Sequence, residues 1–216
     1  MTLDTLTNMV TYIVGGVWVT IGVTLIALPM GFALGLLLAL ARIYGGKLMA
    51  RLATIYGAAM RGVPPIVMLF VLFFVIAGAI DLSPFLAGSL SLGIISSAYQ
   101  AEIFRGAITS VGGGQMMAAR SVGMSQRRAI RFIVLPQALR LAIPSWSNEA
   151  ATVVKDSSLV YALGVAEVLR RAQFQAARTY QPLIAFSIAA VIYFVLTFIT
   201  NRVLDYIERR TAIPVY

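Results

Sequence analysis

Long, mostly apolar runs dominate the pattern of this 216-residue chain. Five of them occur, at 10–41, 66–80, 85–108, 141–165 and 183–199. A helix that crosses a membrane needs about 20 mostly apolar residues. The runs are continuous, whereas strands of a membrane β-barrel alternate apolar with polar residues. The pattern therefore predicts an all-α, polytopic membrane protein with about five transmembrane helices.

Breaks between the runs are short and rich in glycine and proline. Pro64 and Pro65 open the second run, in a first helical turn where the missing N–H does no harm. The turn 81–84 separates the second and third runs, and Gly112–Gly114 ends the third. The length suits one domain, so residues 1–216 are expected to form a single transmembrane unit.

Composition supports the membrane reading and excludes much chemistry. Only 12% of the residues are charged and 60% are hydrophobic, whereas a soluble domain has roughly 25% charged residues. Cysteine and histidine are both absent, which excludes disulfides, thiolate chemistry, the usual zinc sites and imidazole acid–base catalysis. We therefore expect no catalytic residue, no metal and no cofactor in this chain.

The net charge of +9 is distributed asymmetrically. Most of the 17 basic residues lie in three segments, 42–61, 105–140 and 202–210, each beside an apolar run. Cytoplasmic loops are rich in Lys and Arg, so we expect the N-terminus outside and the C-terminus in the cytoplasm. Nucleic acid is not an expected partner. The first 41 residues contain no Lys or Arg, so no cleavable signal peptide is expected.

The most informative segment is 112–136, between the third and fourth runs. It reads Met117-Ala118-Ala119, three residues, Gly123, nine residues, Ile133, one residue, Leu135-Pro136. This spacing resembles the coupling loop of importer-type ABC permeases, whose pattern has Glu where this chain has Met117. Other phrases resemble the polar amino-acid branch (histidine, glutamine and arginine permeases), and the likeness extends from about 17 to 209. The phrases are 60–64, 98–106, 135–140, 148–149 and 155–159.

Physical chemistry gives the same segment a compatible shape. Ala118 and Ala119 favour a helix and are small enough for close contact with a partner. Gly123 permits a turn that other residues resist, and Ser125 is a candidate N-cap for a second helix ending at Pro136. The alternative is an ordinary basic loop that lies on anionic lipid.

Carboxylates within the fourth run are candidate binding groups. Glu149 and Asp156 are seven residues apart, about 10.5 Å along one helix face, and each costs about 2.5–3.5 kcal/mol in a membrane. The resemblance implies that Asn148, Glu149 and Asp156 line a substrate site, to which Ser96 and Ser97 are expected to add hydroxyls. Alternatively, Asp156 pairs with Lys155 and Glu149 binds a partner permease.

On the third run, Glu102 and Arg105 have the spacing of an ion pair on one helix face. Trp146, on the fourth run, is a candidate neighbour of the pathway.

The resemblance implies a function for the whole chain. It is expected to be the permease subunit of an ATP-driven amino-acid importer in a prokaryotic inner membrane, working by alternating access. Implied partners are two cytoplasmic ATPase subunits, an identical or homologous second permease, an extracytoplasmic amino-acid-binding protein and membrane lipid. The implied ATPase contacts are Met117, Ala118, Ala119, Arg120, Gly123, Met124, Leu135 and Pro136.

This chain lacks the Gly-x4-Gly-Lys-Ser/Thr pattern of ATP-binding loops. ATP and magnesium therefore belong to the partner ATPase, and the permease is not itself an enzyme. The alternatives are a passive channel or exporter subunit, or an intramembrane enzyme that uses Glu149 and Asp156 as acid and base. The amino acid carried is not specified by these residues.

Overall fold

The computed structural model describes residues 3–211, which form helices joined by short turns. The helices are α1 Leu3–Val14, α2 Val17–Tyr44, α3 Gly46–Gly62, α4 Pro65–Ala79, α5 Pro84–Ser110, α6 Gly113–Ser121, α7 Gln126–Ala129, α8 Leu135–Asp156, α9 Val168–Thr179 and α10 Pro182–Thr211. A π-helical turn, Ile130–Val134, joins α7 to α8, and a 3₁₀ turn, Ser157–Leu163, follows α8. The all-helical prediction is confirmed.

The central helix of the bundle is α5, which packs on α2, α3, α4 and α8. By length and composition, 3–44 and 182–211 of the described residues qualify as membrane spans, and the pair α3–α4, bent by 116°, is a third if it is counted as one broken span. The more polar helices α5 and α8 lie between these apolar elements and complete the bundle. Polar side chains are thereby kept inside the protein, where they avoid the cost of contact with lipid.

Small residues bring α2 and α5 close together. A Cβ atom at Gly35 would lie 2.9 Å from the carbonyl oxygen of Ser97, and one at Gly93 would lie 3.1 Å from that of Ala27. Membrane helices associate through such small residues because lipid supplies little hydrophobic driving force.

The two ends of the bundle have different structures. At one, the "α6 end", the last turns of α2 and α5 pack with α8, and Met116 of α6 joins this cluster. At the other, the "α9 end", buried residues of α1, α9 and α10 form a second cluster. The apolar runs did not predict α9, which lies between the fourth and fifth of them. Glu167 caps this helix by accepting from the N–H groups of Leu169 and Arg170 at 2.7 and 2.6 Å.

The first apolar run is two helices rather than one. The helix is interrupted at Gly15 and Gly16, and only glycine allows the close approach there, since a Cβ atom at Gly16 would lie 2.6 Å from the backbone nitrogen of Val168. The chain start thus packs against a segment about 150 residues away, a contact that helical periodicity does not reveal.

The helix that starts after Ser125 does not end at Pro136, contrary to the sequence-based expectation. The predicted cap is present, with Ser125 Oγ accepting from the Arg128 N–H at 3.4 Å. Pro136 then lies in the first turn of α8, directly after the π turn, where a missing N–H is tolerated. The chain from 126 to 156 is therefore continuous helix, and it connects the α6 end to the carboxylates of the fourth run.

Candidate functional site

A cavity of about 270 Å³ lies where α5 and α8 meet the start of α4. Glu149 and Asp156 both open onto it from α8, at the two-turn spacing expected of an unbroken helix. Its full lining is Pro65, Leu92, Ile95, Ser96, Tyr99, Glu149, Thr152, Val153 and Asp156. Two carboxylates therefore face an otherwise largely apolar chamber inside the bundle.

A chain of hydrogen bonds positions Glu149. Its Oε1 accepts from Ser96 Oγ at 2.7 Å. Ser96 Oγ also accepts from Gln100 Nε2 at 3.0 Å, and Gln100 Oε1 accepts from Trp146 Nε1 at 2.7 Å. Gln100 is fully buried, so this network fixes the carboxylate on the wall of the cavity.

The remaining carboxylate oxygens are available for a ligand. Among residues 3–211, Glu149 Oε2 and both oxygens of Asp156 have no hydrogen-bond or ion-pair partner. The adjacent Lys155 is exposed and forms no ion pair with Asp156 within this described range. The arrangement suits a cationic group, because the described residues that line the cavity include two acids and no base.

Two of the sequence-predicted residues lie outside this cavity. Ser97 is buried against α3, where its hydroxyl donates to the Ile94 carbonyl at 2.7 Å and pairs with the Tyr56 hydroxyl at 2.7 Å. Asn148 is exposed, and its Nδ2 donates to the Pro144 carbonyl at 3.4 Å.

The sequence reading missed Tyr99 and Thr152, which also line the cavity. Each lies three residues after a predicted site residue, Ser96 and Glu149 respectively. Residues three apart share a helix face, so extending the predicted faces by one turn would have found both.

The segment predicted to couple to a partner is exposed at the α6 end. Met117 has 70% of its surface exposed, Ala118 and Arg120 are also exposed, and Ala119 faces inward. The turn after α6 is closed by Arg120 Nη1, which donates to the Met124 carbonyl at 3.3 Å.

Gly123 has a φ of +83°, and a Cβ atom there would meet nothing within 4 Å. Of the other predicted contacts, Leu135 is half-buried and Pro136 exposed, both in the first turn of α8. The turn thus projects away from the bundle.

An ion cluster at the α6 end joins three helices. The predicted pair is confirmed, with Arg105 Nε 2.8 Å from Glu102 Oε2. Arg42 of α2 and Arg61 of α3 also bind this carboxylate, Arg61 at 3.0 Å. The cluster fixes the end of α3 just before the bend that leads to Pro65 in the cavity wall.

Comparison with known proteins gives consistent matches along the chain. The family described as "Binding-protein-dependent transport system inner membrane component" matches residues 31–213. The L-cystine transport system permease protein TcyB of Bacillus subtilis is 36% identical over 198 residues, covering 91% of this chain and 85% of that protein. The glutamine transport system permease protein GlnP of Escherichia coli strain K12 is 33% identical over 204 residues, covering 93% of each.

Solved structures share the fold. A chain from the crystal structure of an amino acid ABC transporter with histidines has a TM-score of 0.85 and 34% identity, covering 97% of this chain and 100% of that chain. The MetNI methionine ABC transporter in an inward-facing conformation has a TM-score of 0.80 at 21% identity, covering 99% of this chain and 100% of that one, and shows likeness of fold alone.

Proposed function

Because the chain belongs to the family of binding-protein-dependent transport system inner membrane components and is the permease subunit of an ABC importer for amino acids, we propose that its substrate passes through the cavity between α4, α5 and α8. The family and function predicted from the Met117–Pro136 spacing are confirmed. The observation that supports the route is the pair of unpaired carboxylates, Glu149 and Asp156, facing one chamber of about 270 Å³.

The proposed substrate contacts follow from the charge of the lining. An amino acid carries an ammonium group, which Glu149 Oε2 and Asp156 bind in charge-assisted hydrogen bonds. The Tyr99 hydroxyl is the lining donor placed to meet the substrate carboxylate. Two acids and no base favour substrates with an additional positive charge over acidic ones. Ser96 positions Glu149 through its hydrogen bond of 2.7 Å.

Coupling is proposed to run along one continuous helix. In this proposal α6 docks on a cytoplasmic ATPase, one for each of two permeases, and an extracytoplasmic binding protein delivers the amino acid. Closure of the ATPases displaces α6, and α7 and α8 transmit the movement to Glu149 and Asp156. Nucleotide and magnesium bind only to the ATPases. A passive channel has no use for an exposed docking turn such as the one around Gly123.

Uptake by the reconstituted complex tests this function. Vesicles that contain the permease, its ATPase and its binding protein should accumulate radiolabelled amino acids only with hydrolysable ATP, and arginine should be preferred to glutamate because the cavity is acidic. A non-hydrolysable ATP analogue is the control. Equal uptake with and without ATP would identify a passive channel, and a preference for glutamate would contradict the proposed contacts.

The proposed orientation places the α9 end outside and the α6 end in the cytoplasm, as the distribution of basic residues favours. The chain contains no cysteine, so single cysteines report exposure directly. We expect Leu3→Cys, at a position 80% exposed, to react with an impermeant maleimide in whole cells. Gln126→Cys, also at an exposed position, should react only in inverted vesicles. The opposite labelling pattern would overturn both the orientation and the docking role of α6.

A further inference from the structure

A second polar cleft, separate from the substrate cavity, lies between α1 and α9. It measures about 390 Å³ and is lined by Thr5, Asn8, Tyr12, Gln175, Arg178 and Thr179. Every lining side chain can form hydrogen bonds. Helical spacing explains why these polar residues meet. One face of α1 carries residues 5, 8 and 12, and one face of α9 carries residues 175, 178 and 179. Two facing polar stripes beside an apolar bundle indicate a binding site rather than packing.

Gln175 is the strongest evidence that the cleft takes a ligand. The residue is only 8% exposed, and it lines the cleft. Within residues 3–211 its side-chain amide has no hydrogen-bond partner, since the one bond at this residue goes to its backbone carbonyl. The amide is not among the buried unpaired side-chain atoms of the described residues, so its polar atoms reach the open space of the cleft, where a ligand or water can bind them.

The charge of the cleft selects an anion. Arg178 is exposed at the cleft and has no acidic partner within 4.0 Å in the described part of the chain. Beside the cleft, Arg171 Nη1 donates to the Tyr12 carbonyl at 3.0 Å, and the Arg171 guanidinium lies 5.2 Å from the Tyr12 ring centroid. Among the described residues, no carboxylate lines the cleft. A free amino acid would leave its ammonium without a charged partner here, so the transported substrate fits poorly.

The surroundings favour a lipid as the source of this anion. The opposite flank of α1 and the start of α10 expose apolar side chains, among them Val14, Leu183 and Val191. Exposed apolar side chains beside a polar cleft are typical of a surface that contacts membrane lipid. A recessed amide such as Gln175 is accessible to a small headgroup but not to a flat protein surface.

We propose that the α1–α9 cleft binds the glycerophosphate headgroup of an anionic membrane lipid. Arg178 binds the phosphate, and the amides of Gln175 and Asn8 and the hydroxyl of Thr179 bind the glycerol hydroxyls. Few basic residues lie at the α9 end, and this assignment gives a role to arginines that do. The bound lipid would hold α1 against α9.

Native mass spectrometry of the purified importer complex tests the proposal, with phosphatidylglycerol and phosphatidylcholine added separately. We expect the parent to retain phosphatidylglycerol and not phosphatidylcholine. Arg178→Gln and Gln175→Glu should each weaken retention of phosphatidylglycerol about tenfold or more. Arg178→Gln removes a charge-assisted hydrogen bond to the phosphate, and Gln175→Glu places a negative charge beside it. Gln173→Glu and Arg170→Gln make the same chemical changes on the same helix outside the cleft, and both should retain lipid as the parent does.

Other outcomes would overturn the proposal. Equal loss of lipid from all four variants would indicate attraction to the general positive charge of α9. Full retention by both cleft variants would mean that no lipid occupies the cleft. Displacement of the lipid by soluble glycerol 3-phosphate at equal concentration would assign the cleft to a free phosphate compound. If Arg178→Gln retains lipid as the parent does but captures the binding protein more weakly, the cleft would be assigned to a protein partner.

Discussion

The double variant Glu149→Gln/Asp156→Asn is expected to lose amino-acid uptake by about a hundredfold, because each carboxylate supplies a charge-assisted hydrogen bond of about 1.5–3 kcal/mol to the substrate. The two effects need not add, since the groups share one cavity. Both changes keep the size of the side chain, and an amide oxygen at 149 still accepts from Ser96. Complex yield and basal ATP hydrolysis should therefore persist. Initial uptake rates across a full substrate titration are the measurement.

Lys155→Gln is the matched control for this variant. It removes a charge directly beside Asp156, yet the lysine is exposed and unpaired with that aspartate. Transport by Lys155→Gln should equal that of the parent. Parental transport by the double carboxylate variant would show that the two acids are structural, and the route would then have to be sought along other helices. Loss of transport in Lys155→Gln alone would favour the alternative pairing of Asp156 with Lys155.

Gly123→Trp is expected to abolish substrate-stimulated ATP hydrolysis while leaving the permease folded. A Cβ atom at this position would meet nothing within 4 Å in the described part of the chain, so we expect an indole there to extend outward from the turn after α6. That is the surface proposed to enter the groove of the ATPase. Hydrolysis by the purified complex, with and without loaded binding protein, measures the effect.

Backbone strain has to be separated from bulk in this experiment. Gly123 has a φ of +83°, and any other residue there is strained by roughly 1–2 kcal/mol. Gly123→Ala carries the same strain without the indole and should keep most of the stimulation. If alanine and tryptophan abolish stimulation equally, the turn conformation matters and the steric argument is wrong. Full stimulation in Gly123→Trp would remove the docking role of this turn.

Local features of this protein were determined by its sequence. The shared face of Glu149 and Asp156, the pair Glu102–Arg105 and the cap at Ser125 all involve residues within seven positions of one another. A helix fixes the relative direction of such neighbours once it forms. The membrane class and the permease family were likewise readable, because residue type and spacing carry them directly. Asn148 and Ser97 each adjoin a cavity residue in the sequence, but consecutive residues on a helix point about 100° apart, so neither lines the cavity.

Only the tertiary structure decided how separate helices meet. The backbone of Val168 approaches Gly16 so closely that a Cβ atom would not fit, and Glu102 binds Arg42 and Arg61 as well as its helical neighbour. The hydrogen bond between Trp146 and Gln100, which supports the cavity wall, likewise joins two separate helices. These contacts join residues about 40 to 150 positions apart. They depend on how whole helices cross and rotate against one another. Side-chain packing across the bundle sets this geometry, and the periodicity of a single helix carries no information about it.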